Sequence, residues 1–154
     1  MDYVTVKWLH VLSSTVLFGT GIGSAFYLYF ASRTKDVHAV AFVARYVVIA
    51  DTLFTATTVV VQLLSGWYLT KLAGFPLTQR WLVLSIALYI FAVACWLPVV
   101  RLQIRMRDLA VSAAANGEPL PARYFELRRI WSILGMPALV AFIAIFWLMI
   151  AKPA

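Results

Sequence analysis

The chain has 154 residues, of which 64% are hydrophobic and 12% charged, with a mean hydropathy of +0.90. Soluble domains keep about a quarter of their residues charged, so this composition excludes that class and points to an integral membrane protein. The net charge of +7 would suit nucleic acid, but the basic residues gather between long apolar windows, which makes them a topology signal instead.

Charge positions define the spans. No Asp, Glu, Lys or Arg occurs in the 25 residues between Lys7 and Arg33, and Asp51 is the one exception in the 25 between Arg45 and Lys71. The 20 residues between Arg80 and Arg101, and the 22 between Arg129 and Lys152, are likewise free of charge. A bilayer core about 30 Å thick needs roughly 20 apolar residues in a helix, so each window is long enough to cross. The expected architecture is all-α: a four-helix transmembrane bundle forming one integral membrane domain over residues 1–154.

In chain order, helix one is expected over about 3–31, followed by the basic loop SRTKDVHA, which carries His38. Helix two covers about 41–70, with Gly74 and Pro76 turning the chain after it. Helix three covers about 81–112, its end an amphipathic extension, RLQIRMRDLAVSAAA, beyond the bilayer. NGEPLP breaks the chain before helix four, over about 124–151. The first and third loops carry nine Lys and Arg, and the termini and middle loop carry Lys7, Lys71, Arg80 and Lys152. The positive-inside rule then puts both termini on the non-cytoplasmic side of a bacterial inner membrane. The opening MDYVTVK lacks a basic region, so a cleaved signal peptide is not expected. Tyr3, Trp8, Trp67, Tyr68, Trp81 and Trp147 are expected to form one interfacial belt, and Tyr27, Tyr29, Tyr46 and Trp131 the other. Trp96 lies deeper along helix three and does not fit the outer belt.

Polar residues in a membrane helix face its neighbours, because lipid cannot satisfy them. On helix two, Asp51, Thr55, Thr58, Gln62 and Ser65 recur at alternating spacings of four and three and form one stripe. Interhelical hydrogen bonding accounts for its hydroxyls; an intramembrane carboxylate needs a partner, with Arg45 and Arg101 the nearest cations. Helix one offers His10, Ser13, Ser14, Thr20 and Ser24, and Gly19 with Gly23 as a pair permitting close helix approach. Helix four repeats Ser132, Gly135, Leu139, Phe142, Phe146 and Met149 at similar spacing, so the faces are expected to enclose a narrow cavity. Cys95, the single cysteine, reads as a small buried apolar residue.

His10 is the leading chemical candidate. It lies about two turns into helix one, at the level of Gln62 and Ser65. One reading is a neutral imidazole hydrogen bonded to those groups. The other is a metal ligand, with one nitrogen on haem iron and the other oriented by an acceptor. His38 lies most of a bilayer away, so one chain holds at most one haem through His10, with Met149 or a second copy of the chain as further ligand sources. Zinc, which takes three or four protein ligands, fits less well. Nucleophile-elbow, phosphate-loop, H-E-x-x-H and C-x-x-C motifs are absent.

KWLHVLSSTVLFGTGIG, LQIRMRDLA and LGMPALVAFIAIFWLMIAKP resemble a bacterial family of predicted integral membrane proteins, domain-of-unknown-function family 2269. More distantly, Lys7-x-x-His10, the Gly66-Trp67 pair and the terminal Lys152-Pro153 resemble the J-type membrane protoporphyrinogen oxidase, and the copper-resistance D proteins look similar in the same way. The oxidase resemblance implies haem b on the helix-one histidine, here His10. It departs at Ile133–Pro137, where the oxidase family carries an Asn-Glu-x-Pro-like segment.

These observations lead to a haem b-binding membrane protein with an electron-transfer or porphyrinogen-oxidase-like role, and quinone or porphyrinogen as partner. Its expected cofactor-binding residues are His10, Gln62, Ser65 and Met149, with His10 on iron. The alternatives are a non-enzymatic subunit of a membrane complex, for which a homo-oligomer is one form, and a copper or small-solute permease using Asp51 and Gln62.

Overall fold

A computed structural model describes residues 1–153. It contains α1 (Tyr3–Thr34), α2 (Val37–Ala50), a π-helical turn (Asp51–Thr55), α3 (Ala56–Ala73), α4 (Arg80–Asn116) and α5 (Ala122–Ala151), with no strand among the described residues. The α2, π-turn and α3 segments form one continuous helix, so four helices are long and apolar enough to cross a membrane.

Helix ends follow local chemistry. Asp2 caps α1, its carboxylate accepting from the Thr5 N–H and hydroxyl, each at 2.9 Å. The Thr5 backbone bond, then the hydroxyl, holds the Asp2 carboxyl below its ordinary value. A depressed carboxyl stabilises the fold above its unfolded value and ceases to as pH falls through the folded one. Acidification through that range is therefore expected to fray the first turn, read as faster amide exchange at Thr5 and Val6 with the rest of α1 unchanged.

The first loop is shorter than SRTKDVHA. Ser32, Arg33 and Thr34 stay helical, and only Lys35 (φ 59°) and Asp36 separate α1 from α2. Asp36 caps α2 by accepting from the His38 and Ala39 N–H groups, which draws His38 into its first turn. Gly74, at φ 67°, ends α3 with Phe75 N–H donating back to Thr70 C=O. Gly117, at φ 68°, ends α4 in the same way, with Glu118 N–H donating to Ala113 C=O.

The main core lies at the end of the bundle that carries the two basic loops. Leu28, Val40, Ala44, Val47, Met106, Ala110, Tyr124, Leu127 and Trp131 are buried together there. At 37 residues α4 spans about 55 Å, well beyond a bilayer core, and its second half packs between the starts of α2 and α5. Fully buried Tyr124 donates its hydroxyl to Ser32 Oγ at 2.7 Å, because Ser32 spends its own proton on Leu28 C=O at 2.6 Å.

The end bearing the termini is packed more thinly. Its buried cluster is Trp81, Leu82 and Leu148, covered by Phe75, Leu88 and Met149. The Lys152 ammonium lies over the Phe75 ring at 4.8 Å and the Trp81 ring at 5.6 Å. In this half α1 packs along α3, and α4 along α5. Here α1 and α5 touch where Phe18 and Phe146 stack edge to face, 5.3 Å between centroids.

Two belt assignments are corrected. Trp8, Trp67, Trp147, Tyr27 and Tyr46 are exposed on the apolar surface as an interfacial role requires, but Trp81 and Trp131 are buried. Trp81 packs against Leu82 and Leu148, and its indole N–H donates to Gln79 Oε1 at 2.8 Å. Trp131 is held in the main core.

Candidate cofactor site

The α1–α3 seam is built from hydrogen bonds that lipid would leave unmade. Ser65 Oγ has one proton and donates it to Val61 C=O at 2.5 Å. Towards His10 it is therefore an acceptor, and the 2.8 Å contact to His10 Nδ1 assigns that nitrogen as the N–H. Gln62 Nε2 donates to His10 C=O and to Ser13 Oγ, each at 2.6 Å, and Ser13 Oγ donates to His10 C=O at 3.0 Å. Two helices are thus pinned at His10 by both its ring and its backbone.

The tautomer decides what the ring can do. With Nδ1 protonated, Nε2 carries the lone pair. It has no hydrogen-bond partner among the described residues and is not enclosed by them. An imidazole whose distal nitrogen is oriented by a protein acceptor and whose other nitrogen is free has the electronic form of a metal ligand. No cluster of three or more His, Cys, Asp or Glu suited to a metal occurs among the described residues. One imidazole falls short of the three or four protein ligands that a zinc site takes, so His10 Nε2 offers a single bond to a metal group.

Gly66 makes the arrangement sterically possible. A Cβ there would sit 3.2 Å from His10 Cε1 and 3.8 Å from Nδ1. Because the α3 backbone must approach the ring this closely, Gly66→Leu is expected to push the imidazole off Ser65. The histidine Nδ1–H resonance of the folded protein, hydrogen-bond shifted in the wild type, should then move towards the solvent-exchanging position, with Gly66→Ala giving a smaller change. Gly66 was legible only as half of a Gly-Trp pair; its contact with His10 needs the helix pairing.

The other expected site residues separate into two groups. Met149 packs with the Trp81, Leu82 and Leu148 cluster on α4 and α5. Measured along the helices from the Phe18–Phe146 contact, His10 stands about 12 Å towards the termini and Met149 about 4.5 Å. Both lie on the same side of that contact, but at different depths. An apolar groove of about 470 Å³ between α4 and α5, lined by residues including Leu88, Phe91, Met136 and Val140, does not reach His10.

Asp51, Thr55 and Thr58 lie deeper, at and just after the π turn, and all three are buried. Arg45 and Arg101 do not pair with Asp51. The Trp96 indole N–H does, donating to Oδ2 at 3.1 Å, which explains the depth of that tryptophan. The two ion pairs among the described residues, Arg107–Asp108 and Arg123–Glu126, join exposed or half-exposed side chains. Thr58 Oγ1 returns its proton to Phe54 C=O at 2.5 Å. The Gly19–Gly23 pair is also corrected: a Cβ at either position, or at Gly21, meets nothing within 4 Å. These glycines permit no close approach inside this chain.

No curated protein and no solved structure matches the chain. A family model does, that of the predicted integral membrane proteins designated DUF2269, over residues 4–153. With four apolar helices of spanning length and a match along almost its whole length, the chain belongs to this DUF2269 family of integral membrane proteins.

Proposed function

We propose that the chain is a haem b-binding membrane protein in which His10 Nε2 is an axial ligand, serving electron transfer or a porphyrinogen-oxidase-like reaction. The observation that carries this reading is the pairing of an oriented Nδ1–H on Ser65 with an unpartnered Nε2 at the molecular surface. An imidazole nitrogen held in the apolar layer of a bilayer without a partner would be costly, and haem iron would supply one.

In this reading the nine basic residues of the first and third loops face the cytoplasm of a bacterial cell, and His10 lies in the outer half of the inner membrane. Ser65 fixes the imidazole tautomer, Gln62 and Ser13 fix the backbone that carries it, and Met149 is a further ligand candidate from the opposite helix pair. A haem bound there supplies one-electron redox chemistry, for which a quinone or a porphyrinogen is the matching partner class. The absorption spectrum of protein purified in mild detergent after haem-replete expression tests the reading. A Soret band in stoichiometric amount supports it, and a colourless protein overturns it.

A specific observation favours a second reading. Gly19 and Gly23, four residues apart on one face of α1, leave an open patch of small residues, the type of surface on which membrane helices associate. A subunit role, with another copy of this chain or a different membrane protein on that patch, follows from it. A colourless protein that co-purifies with a stoichiometric partner, and loses it on Gly19→Leu, would favour this role over haem binding.

A further inference from the structure

The second span buries a carboxylate with no cationic side chain beside it. Asp51 is 6% exposed and Thr55 5% exposed, and both belong to the π-helical turn between α2 and α3. Asp51 Oδ2 accepts a hydrogen bond from the Trp96 indole N–H at 3.1 Å. The Thr55 hydroxyl lies beside the Asp51 carboxyl, and its buried Oγ1 has no other group within hydrogen-bond reach.

The elements packed around the turn bring nothing that neutralises it. Between Lys7 and Arg33, α1 carries no charged residue, and its titratable groups there are His10, Tyr27 and Tyr29. The nearest on α4 are Tyr89, Cys95 and Arg101, and on the same helix Arg45 and Tyr46. None of these is bonded to Asp51. An intramembrane acid with only neutral donors beside it is uncompensated, and such acids recur where ions or protons are bound. π turns also recur at functional positions, because the extra residue disturbs the regular backbone ladder.

We propose that Asp51 and Thr55 form an intramembrane binding site for a small monovalent cation, a proton or a sodium ion. The Asp51 oxygen not bonded to Trp96 and the buried Thr55 Oγ1 beside it are its two side-chain ligands. α1 packs against the turn. Carrying the antiparallel register of the His10–Ser65 and Ser13–Gln62 pairs along α1 brings buried Ser24 to the level of Asp51. A third hydroxyl thus stands at the depth of the site. Thr58, Gln62 and Ser13 continue the polar seam from there towards the termini.

Infrared difference spectroscopy of the full chain in lipid bilayers tests the site, and its readout does not depend on haem. Wild type minus Asp51→Asn isolates the carboxyl signal. A protonated-acid carbonyl band at neutral pH that is insensitive to sodium identifies a proton as the ligand. A carboxylate band that shifts with sodium but not with potassium identifies sodium. Thr55→Val, close in shape and free of the fold risk at Asp51, is expected to weaken the cation about tenfold, as loss of one polar contact to a charged site does. A difference signal that responds to neither pH nor sodium, or a Thr55→Val midpoint equal to that of the wild type, would overturn the proposal.

Discussion

His10→Ala is expected to abolish the Soret absorbance of the purified protein, while His38→Ala leaves it unchanged. The contrast rests on position. His10 presents a free Nε2 on the α1–α3 seam, whereas His38 sits in the first turn of α2 at the opposite end of the bundle. An intermediate variant makes the argument sharper. Ser65→Ala removes the acceptor for Nδ1–H but keeps Nε2, the nitrogen proposed to bind iron, so on that reading haem should remain with affinity lowered about 10- to 100-fold, the usual effect of losing a group that orients a ligand. The band should also move, because a histidine without its hydrogen-bond acceptor is a weaker donor to iron. A His10→Ala protein that keeps the wild-type spectrum would place any haem elsewhere and remove the reason for reading this seam as its site.

How much of this was visible in the sequence depends on which property each residue expresses. The spans were legible because charge is excluded from lipid whatever the packing, so four windows free of charge, Asp51 apart, translate directly into four helices. The stripe from Asp51 to Ser65 was legible because polar groups in a membrane helix must face its neighbours. The meeting of His10 with Ser65 and Gln62 followed from depth alone. Pairings that depend on which helix stands beside which were not legible. Trp96 could be judged too deep for the outer belt, but its bond to Asp51 needs α4 to lie beside the π turn. Trp81 and Trp131 carry the same residue type as the exposed Trp8 and Trp147, and only tertiary context separates them. Gly19 and Gly23 matched a packing motif, yet no atom of the chain comes within 4 Å of a Cβ at either position. The π turn has no composition of its own: Asp51–Thr55 reads as ordinary helix until its hydrogen bonds are seen. The Asp36 cap, by contrast, was present as a residue type ahead of an apolar run, and would have shortened the first loop correctly.

The largest effect on stability is expected at the basic-loop end, where Tyr124→Ala should destabilise the protein by about 3 kcal/mol or more. Tyr124 is fully buried, among the starts of α2 and α5, the end of α4 and the end of α1. Lipid offers no hydrophobic drive between helices, so in the membrane this cost is mostly lost packing contact and the cavity left behind. The hydroxyl makes a smaller contribution. In Tyr124→Phe, Ser32 keeps its bond to Leu28 C=O and loses only the bond it accepts, so the change should cost about 1 kcal/mol. Unfolding in mixed micelles at increasing denaturing-detergent fraction measures both. The gap between the two variants isolates the ring, and a Tyr124→Phe loss as large as that of Tyr124→Ala would mean that the Tyr124–Ser32 hydrogen bond holds this end together. Since α1 and α5 share few contacts, among them the Tyr124–Ser32 bond and the Phe18–Phe146 stack, loosening this anchor should release α1 against α5. Haem retention in Tyr124→Ala then separates two cases. If the α1–α3 pair alone holds His10 in place, absorbance survives the loss of stability. If a ligand from the α4–α5 pair such as Met149 completes the coordination, absorbance falls along with it.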